Sequence, residues 1–120
     1  MSKNKKIGNL GEEFAKDFYL KKGYDFIDKN WQKKYGEIDL ICQKDNEIVF
    51  VEVKTRTSLA FGYGEEAVTF SKKNKISKTI EQFLYENEQF KDCFPRFDIL
   101  TVEIFGLVPK FIQLENVCLR

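Results

Sequence analysis

Two carboxylates and a lysine stand out in the sequence because their spacing can bring them to one point. Asp39 lies in the alternating segment 36–42, and Glu52 and Lys54 lie in the next such segment, 47–56. Two carboxylates beside an ammonium group suit a hard divalent cation such as Mg²⁺, which usually takes one or two carboxylates together with waters and phosphate oxygens. We therefore expect these three residues to form a site for a divalent cation.

The register between the two segments follows from the turn that joins them. Asp45 and Asn46 tolerate the positive φ of a type I′ turn, and with that turn the numbers of paired residues add up to 91. Asp39 then lies opposite Glu52, with Cβ atoms roughly 5 Å apart. The predicted core-facing pairs are Cys42 with Val49, Leu40 with Val51 and Ile38 with Val53, and the other face pairs Ile41 with Phe50, Asp39 with Glu52 and Glu37 with Lys54. A slip of one residue would mix the two sets, so the pattern supports this register.

The same charges have a simpler interpretation, which is a ladder of salt bridges on a solvated sheet face. Its members would be Glu37, Lys54, Asp39 and Glu52. The neighbouring Ile41 and Phe50 favour a face that is only partly wet, and hence the metal site.

A third carboxylate lies on the first predicted helix. Gly8, Gly11 and Ala15 fall on one narrow strip of that helix, with Glu12 at its edge. Each glycine inside a helix costs about 1 kcal/mol relative to alanine, so two on one strip indicate a close approach to the sheet or to a ligand. Glu12 would then lie near the hairpin site. The alternative is a frayed helix start with Glu12 in solvent.

The elements that position these residues can be placed from periodicity. Ile7, Leu10, Phe14 and Phe18 predict a helix that ends at Lys21-Lys22-Gly23. A second helix begins with Thr69 or Ser71 as its N-cap and carries Ile76, Ile80, Phe83 and Leu84. The predicted strands are 24–31, 36–42, 47–56, 97–104 and 111–117. The order is α-β-β-β-α-β-β, which makes an α/β fold with a mixed β-sheet flanked by helices in one domain, 1–120.

Composition excludes several classes of function. The 120 residues contain no histidine, which removes serine-type triads, zincins and every histidine general base. Three scattered cysteines are typical of reduced thiols in a cytoplasmic protein. No apolar run is long enough to span a membrane. The net charge of +1 permits a nucleic-acid partner through a local basic patch but does not demand one.

The motifs together resemble those of the YraN-like family of uncharacterised bacterial proteins, over nearly the whole chain. The matching residues are Gly8-x-x-Gly11-Glu12-x-x-Ala15, Gly36-Glu37-Ile38-Asp39-Leu40-Ile41, Phe50-Val51-Glu52-Val53-Lys54-Thr55-Arg56, Glu66-Ala67-Val68 followed by Lys72, and Arg96-Phe97-Asp98. The resemblance implies a restriction-endonuclease-like core of the PD-(D/E)xK nuclease superfamily, similar in layout to archaeal Holliday-junction resolvases. Phe70, Ser71 and Asn74 depart from it, because proline and more basic residues are expected there.

The resemblance also implies roles for individual residues. Asp39, Glu52 and Lys54 would be the catalytic core, with Glu12 as the extra acid. Asp39, Glu52, Glu12 and the backbone carbonyl of Val53 would bind Mg²⁺ or Mn²⁺. The residues expected to contact nucleic acid are Arg56, Lys72, Lys75 and Tyr63, of which Tyr63, like Phe61, has loop packing as its alternative.

The expected activity is metal-dependent endonucleolytic hydrolysis of DNA, including branched or junction DNA. The alternative is a catalytically silent nucleic-acid-binding module with the same fold. DNA is favoured over RNA as the partner, and a homodimer is a further expectation.

Overall fold

The structure is a computed structural model that describes residues 3–57 and 69–120. Its elements follow the predicted order α-β-β-β-α-β-β, so the fold class is confirmed. They are α1 (Lys3–Lys21), β1 (Asp25–Lys33), β2 (Gly36–Lys44), β3 (Glu47–Arg56), α2 (Phe70–Glu86), one turn of 3₁₀ helix (Glu88–Phe90), β4 (Phe94–Glu103) and β5 (Lys110–Leu114). Within the described residues, no helix is long and apolar enough to cross a membrane.

The five strands form one mixed sheet in the order β1-β2-β3-β4-β5. Neighbouring strands are antiparallel except β3 and β4, which run parallel. Parallel neighbours need a long crossover connection, and α2 lies between them in the chain. The centre of the sheet is therefore made of strands that are distant in sequence.

Both faces of the sheet are covered, each by one helix. The α1 layer consists of Ala15, Tyr19, Leu40, Cys42, Val49, Val51, Leu100 and Val102. The α2 layer consists of Ile38, Ile41, Ile48, Phe50, Ile76, Ile80, Phe83, Phe90, Phe97 and Ile99. The face that carries Ile41 and Phe50, which the sequence analysis expected to be partly wet, is fully buried at both residues.

The helix boundaries are set by local hydrogen bonds at the predicted positions. The Thr69 hydroxyl oxygen accepts a hydrogen bond from the backbone N–H of Lys72 at 3.1 Å, which makes Thr69 the N-cap of α2. After α1, Gly23 adopts a φ of 91° and its N–H donates to the carbonyl of Leu20 at 3.0 Å. A residue with a Cβ adopts that φ only with strain, so glycine ends the helix here.

One helix glycine marks the contact of α1 with the sheet. A Cβ built at Gly11 would overlap the Thr55 hydroxyl and lie 3.0 Å from the Thr55 Cβ. The predicted close approach is therefore confirmed at Gly11. It is wrong at Gly8, where a Cβ would meet nothing within 4 Å. The contact at Gly11 fixes the neighbouring Glu12 relative to β3.

A buried ion pair ties β4 to α1 and to the C-terminal segment. The Asp98 side chain is fully buried and accepts two hydrogen bonds from the Arg96 guanidinium, at 3.0 and 2.9 Å. The Tyr19 hydroxyl donates to the same carboxylate at 2.8 Å, and the backbone N–H of Asn116 donates at 3.0 Å. Burial, followed by the Asp98 charge, raises the pKa of the Tyr19 hydroxyl. The Arg96-Phe97-Asp98 motif thus holds three parts of the fold together.

Candidate active site

The site lies where β2 and β3 separate. Their paired residues run from Lys44–Glu47 to Leu40–Val51 in the predicted register, and the ladder ends there. One residue further on, the Asp39 carboxylate accepts a hydrogen bond of 2.8 Å from the backbone N–H of Val53. The side chain of Asp39 thus contacts the backbone of β3 where the predicted backbone pair with Glu52 is not formed.

The alternation of side chains also breaks at Asp39. Residues two apart in a regular strand share a face, but Ile38 packs in the α2 layer and Leu40 in the α1 layer. The prediction that Ile38 and Val53 share a core face is therefore wrong, because Val53 packs against the α1 layer. On the other side of β2, Asn30 of β1 has a φ of 51°, so both strands are irregular at this level.

Three other carboxylates act on Asp39. Its pKa is raised to about 7, mainly by burial and also by the charges of Glu12, Glu37 and Glu52, whereas the hydrogen bond from Val53 lowers it. A carboxyl group in this position resists ionisation because its surroundings are dry and negative. A cation held here would remove that resistance, which is the electrostatic property that a metal site needs.

Glu12 faces this group from α1. It is half-buried in the interior of the helix, and its pKa is raised mainly by burial and also by the charge of Glu37, while a hydrogen bond with Asn30 lowers it. The alternative of a frayed helix start is therefore wrong. The structure places Glu12 within electrostatic reach of Asp39, as the sequence predicted.

Glu52 approaches from β3 and is held by α2. The Lys72 ammonium lies 2.8 Å from Glu52 Oε1, and the Glu52 side chain is 22% exposed. Its other oxygen, Oε2, is buried and has no hydrogen-bond partner among the residues that the structure describes. A buried acceptor without a donor is costly, so this oxygen is available to a ligand. Lys72 thus lies at the acidic site, where a base was expected.

The remaining predicted residues are placed on β3 and α2 or lie outside the described residues. Lys54 is half-buried on β3, two residues after Glu52. Arg56 is half-buried at the end of that strand, and its guanidinium donates to the Thr55 carbonyl at 3.3 Å. Lys75 is exposed on α2. Tyr63, together with Phe61, lies outside the described residues.

The donor set fits a hard cation only in part. Asp39 and Glu52 offer carboxylate oxygens, and Glu52 Oε2 is a buried oxygen without a donor, which suits Mg²⁺ or Mn²⁺ with water or phosphate completing the shell. Across residues 3–57 and 69–120, however, no three acidic or thiol side chains converge as a ready metal site. Two protein carboxylates are within the usual number for Mg²⁺, so the residues fit a cation that is shared with a substrate.

Sequence reasoning missed the parts played by Glu37 and Asn30. Glu37 was assigned to a pair with Lys54, yet its charge raises the pKa of both Asp39 and Glu12. Asn30 was treated as an ordinary strand residue, although it is the partner of Glu12. The available signal was its residue type, because asparagine adopts positive φ several times more often than most residues.

The chain is an α/β protein with a mixed five-stranded sheet, one helix on each face, and acidic residues where β2 and β3 separate. A family model described as "Uncharacterised protein family UPF0102" matches residues 11–102, which is more than half of the chain. The chain belongs to this family, which is part of the restriction-endonuclease-like superfamily.

Relatives of this chain come from several bacteria. It is 50% identical over 115 residues to a UPF0102 protein of Caldanaerobacter subterraneus subsp. tengcongensis, covering 95% of this chain and 91% of the relative. It is 41% identical over 114 residues to a UPF0102 protein of Alkaliphilus oremlandii, covering 94% and 97%. A UPF0102 protein of Caldicellulosiruptor saccharolyticus is 44% identical over 98 residues, or 82% of each chain. The similarity thus extends over nearly the full length.

Proposed function

We propose that the protein is a metal-dependent endonuclease that hydrolyses phosphodiester bonds in DNA, with branched or junction DNA among its substrates. The observation that carries the proposal is the pair of carboxylates at the separation of β2 and β3. Asp39 is half-buried, and desolvation together with three neighbouring negative charges raises its pKa to about 7. Glu52 has a buried oxygen without a partner among the described residues. Both features oppose a purely structural role, since each is unfavourable until a cation binds.

The residues of the chain have distinct tasks in this proposal. Asp39, Glu52 and the carbonyl of Val53 would hold Mg²⁺ or Mn²⁺, with Glu12 beside them. When bound there, the ion would supply polarisation of the scissile phosphate and a lower pKa for a bound water. Lys54 orients the attacking water and stabilises negative charge at the phosphorus. Lys72 holds Glu52 in position through its 2.8 Å ion pair.

The basic residues around the cleft support a polyanionic substrate. Arg56 at the end of β3 and Lys75 on α2 add to the charge of Lys72. Contacts with phosphates release counterions, so binding should weaken as salt is added. DNA is favoured over RNA as the substrate, and a homodimer would bring two such sites to one branched molecule. Light scattering of the purified protein, with and without DNA, measures the oligomeric state.

A second candidate is a nucleic-acid-binding module that does not cut. It is favoured by one observation, which is that no three ligating side chains converge within the described residues. Both candidates predict binding of nucleic acid, and only the first predicts hydrolysis. In the first, removal of a carboxylate abolishes cleavage. In the second, the same change leaves the affinity for nucleic acid unchanged or raises it.

The test is cleavage of end-labelled DNA in Mg²⁺ or Mn²⁺, with single strand, duplex, flap, splayed arm and four-way junction as substrates. Glu52→Gln and Glu12→Gln should each reduce cleavage, Glu52→Gln by at least about a hundredfold. Glu13→Gln is the matched control, because Glu13 is exposed on α1 and pairs with Lys29 at 3.2 Å. Binding without cleavage of any substrate would replace the nuclease by the binding module, and equal loss in the control would contradict the assigned site.

A further inference from the structure

A second surface with chemical character lies outside the candidate active site. It is an open groove of about 630 Å³ between the β1–β2 turn and α2, and we call it the tyrosine groove. Its lining residues are Lys34, Tyr35, Lys78, Glu81, Gln82 and Tyr85. None of them belongs to the site described above, and the proposed hydrolysis does not use them.

The two walls of the groove are held in fixed relation. Lys78, Gln82 and Tyr85 are three or four positions apart on α2, so they share one side of the helix. Tyr35 comes directly before Gly36, the first residue of β2. A Cβ at Gly36 would lie 3.3 Å from Thr79 Oγ1, so the turn packs directly against the helix. The groove is therefore a permanent feature of the fold.

The groove combines exposed aromatic rings with ammonium groups. Tyr85 is 86% exposed and Tyr35 is 42% exposed. The ammonium groups of Lys34 and Lys78 lie 5.6 and 5.2 Å from the centre of the Tyr35 ring. Stacking platforms beside positive charges are how proteins bind single-stranded nucleic acid without sequence preference.

The magnitudes favour a nucleobase over the present lysine contacts. Stacking of a base on an aromatic side chain is stronger than a cation–π contact at an exposed site. A base that stacks on Tyr35 displaces an ammonium group from the ring, and that group is then free to contact a phosphate. Glu81 opposes binding, because its carboxylate lies in the same groove.

The position of the groove relates it to the candidate active site. Tyr35 precedes Asp39 by four residues, so their Cα atoms are at most about 14 Å apart, which is the reach of a fully extended chain of that length. About four stacked nucleotides span that distance at about 3.4 Å each. A single-stranded nucleic acid bound at Asp39 would therefore reach Tyr35 within a few nucleotides.

We propose that the tyrosine groove binds unpaired nucleotides by stacking on Tyr35 and Tyr85, with Lys34 and Lys78 on the flanking phosphates. The inference deepens the proposed function, on which it rests, because it assigns a single-stranded arm to the substrate. DNA and RNA can both supply unpaired nucleotides, and one DNA probe and one RNA probe distinguish between them.

The test is fluorescence anisotropy with labelled oligo-thymidylate and oligo-uridylate, in EDTA so that nothing is cleaved. Tyr35→Ala and Tyr85→Ala should each weaken binding about five- to hundredfold, which corresponds to the loss of one stacked base. Tyr85→Phe should keep the affinity, because the ring remains. Phe94→Ala is the control, since Phe94 is 69% exposed and does not line the groove.

Charge variants provide an independent measurement on the same surface. Lys34→Ala should make the slope of log affinity against log salt shallower by about 0.7, as expected for one lost phosphate contact on a single strand. Glu81→Gln should raise the affinity. An unchanged slope or a weaker Glu81→Gln complex would contradict the assignment.

The failure of this inference can be told apart from the failure of the proposed function. Binding to the two probes is measured in EDTA and does not depend on cleavage, so the tyrosine variants test the groove whether or not the protein cleaves DNA. Tyrosine variants that bind like the unchanged protein, or that lose no more than Phe94→Ala, would overturn the inference even if cleavage is established. Absence of binding to both probes at low salt would overturn it as well.

Discussion

The Asp39 carboxyl should lower the stability of the protein at neutral pH, and its replacement by asparagine should restore it. The folded-state pKa is about 7, against an ordinary value of 3.8, because of desolvation and, after it, the charges of Glu12, Glu37 and Glu52. Between these two values the folded chain holds the proton more tightly than the unfolded chain. The contribution of this group is therefore most favourable below about pH 4 and is lost as the pH rises to about 7.

The size of the effect follows from the two pKa values. They differ by about 3, and each pKa unit corresponds to 1.36 kcal/mol, so the full penalty at pH 8 is about 4 kcal/mol. At pH 5 the penalty is only about 2 kcal/mol. Asp39→Asn keeps the size of the side chain and an oxygen that can accept from the Val53 N–H. We expect the variant to be more stable than the unchanged protein by about these amounts at each pH.

Urea unfolding at pH 5 and pH 8, in EDTA, measures both differences. The single tryptophan is a suitable probe, since Trp31 packs edge-on against Phe83 with ring centres 5.2 Å apart. Asp17→Asn is the control, because Asp17 is an exposed aspartate on α1. The reasoning is refuted if Asp39→Asn gains nothing at pH 8, or if its gain is equal at the two pH values.

A divalent cation should reverse the penalty in the unchanged protein. Ligand that binds only the folded state raises the free energy of unfolding by about 2.7 kcal/mol at a hundred times its dissociation constant. Added Mn²⁺ at pH 8 should therefore stabilise the unchanged protein and have little effect on Asp39→Asn. Equal stabilisation of both proteins would place the cation elsewhere.

Three further predictions concern stability and charge. Gly11→Ala should lower the free energy of unfolding by about 1–3 kcal/mol, because the added methyl group has no room. Gly8→Ala should raise it by up to about 1 kcal/mol. Urea unfolding measures both changes, and a change of the same sign in the two variants would contradict the packing argument. Asp98→Ala should cost about 3–5 kcal/mol, because the fully buried carboxylate accepts hydrogen bonds from the Arg96 guanidinium and the Tyr19 hydroxyl. Urea unfolding measures the loss, and a value below about 1 kcal/mol would refute this. Lys72→Ala should weaken DNA binding and flatten its salt dependence, and an unchanged slope would show that Lys72 serves only Glu52.

Local signals were sufficient to predict much of the framework. The turn at Asp45-Asn46 and the alternation around it specified the β2–β3 register. The predicted type I′ turn is wrong, however, because it needs a positive φ at both residues and only Asp45 has one, of 54°. Thr69 was one of two residues proposed as the cap of α2, and its hydroxyl makes the expected hydrogen bond. Each of these features depends on residues close together in the chain.

The irregular backbone around Asp39 could not be predicted from local signals. The assignment of side chains to the two faces of the sheet assumed regular strands. In the structure, the side chain of Asp39 accepts a hydrogen bond from the backbone of β3, and Ile38 packs in the α2 layer instead of the α1 layer. The tyrosine groove was missed for a different reason. Tyr35 and Lys78 are 43 positions apart, and only the packing of α2 against β2 brings them together.

The parallel pairing of β3 with β4 has a consequence for the synthesis of the chain. Each pair, from Glu47 with Phe94 to Arg56 with Glu103, joins residues 47 positions apart. At about 5–20 residues per second, a ribosome needs roughly 2–9 s to make that interval. During this time β3 has an unpaired edge while its Val49, Phe50 and Val51, fully buried in the finished fold, await their partners. The nascent chain is therefore most prone to aggregation before β4 emerges, and chaperones would have their main opportunity to bind it in those seconds.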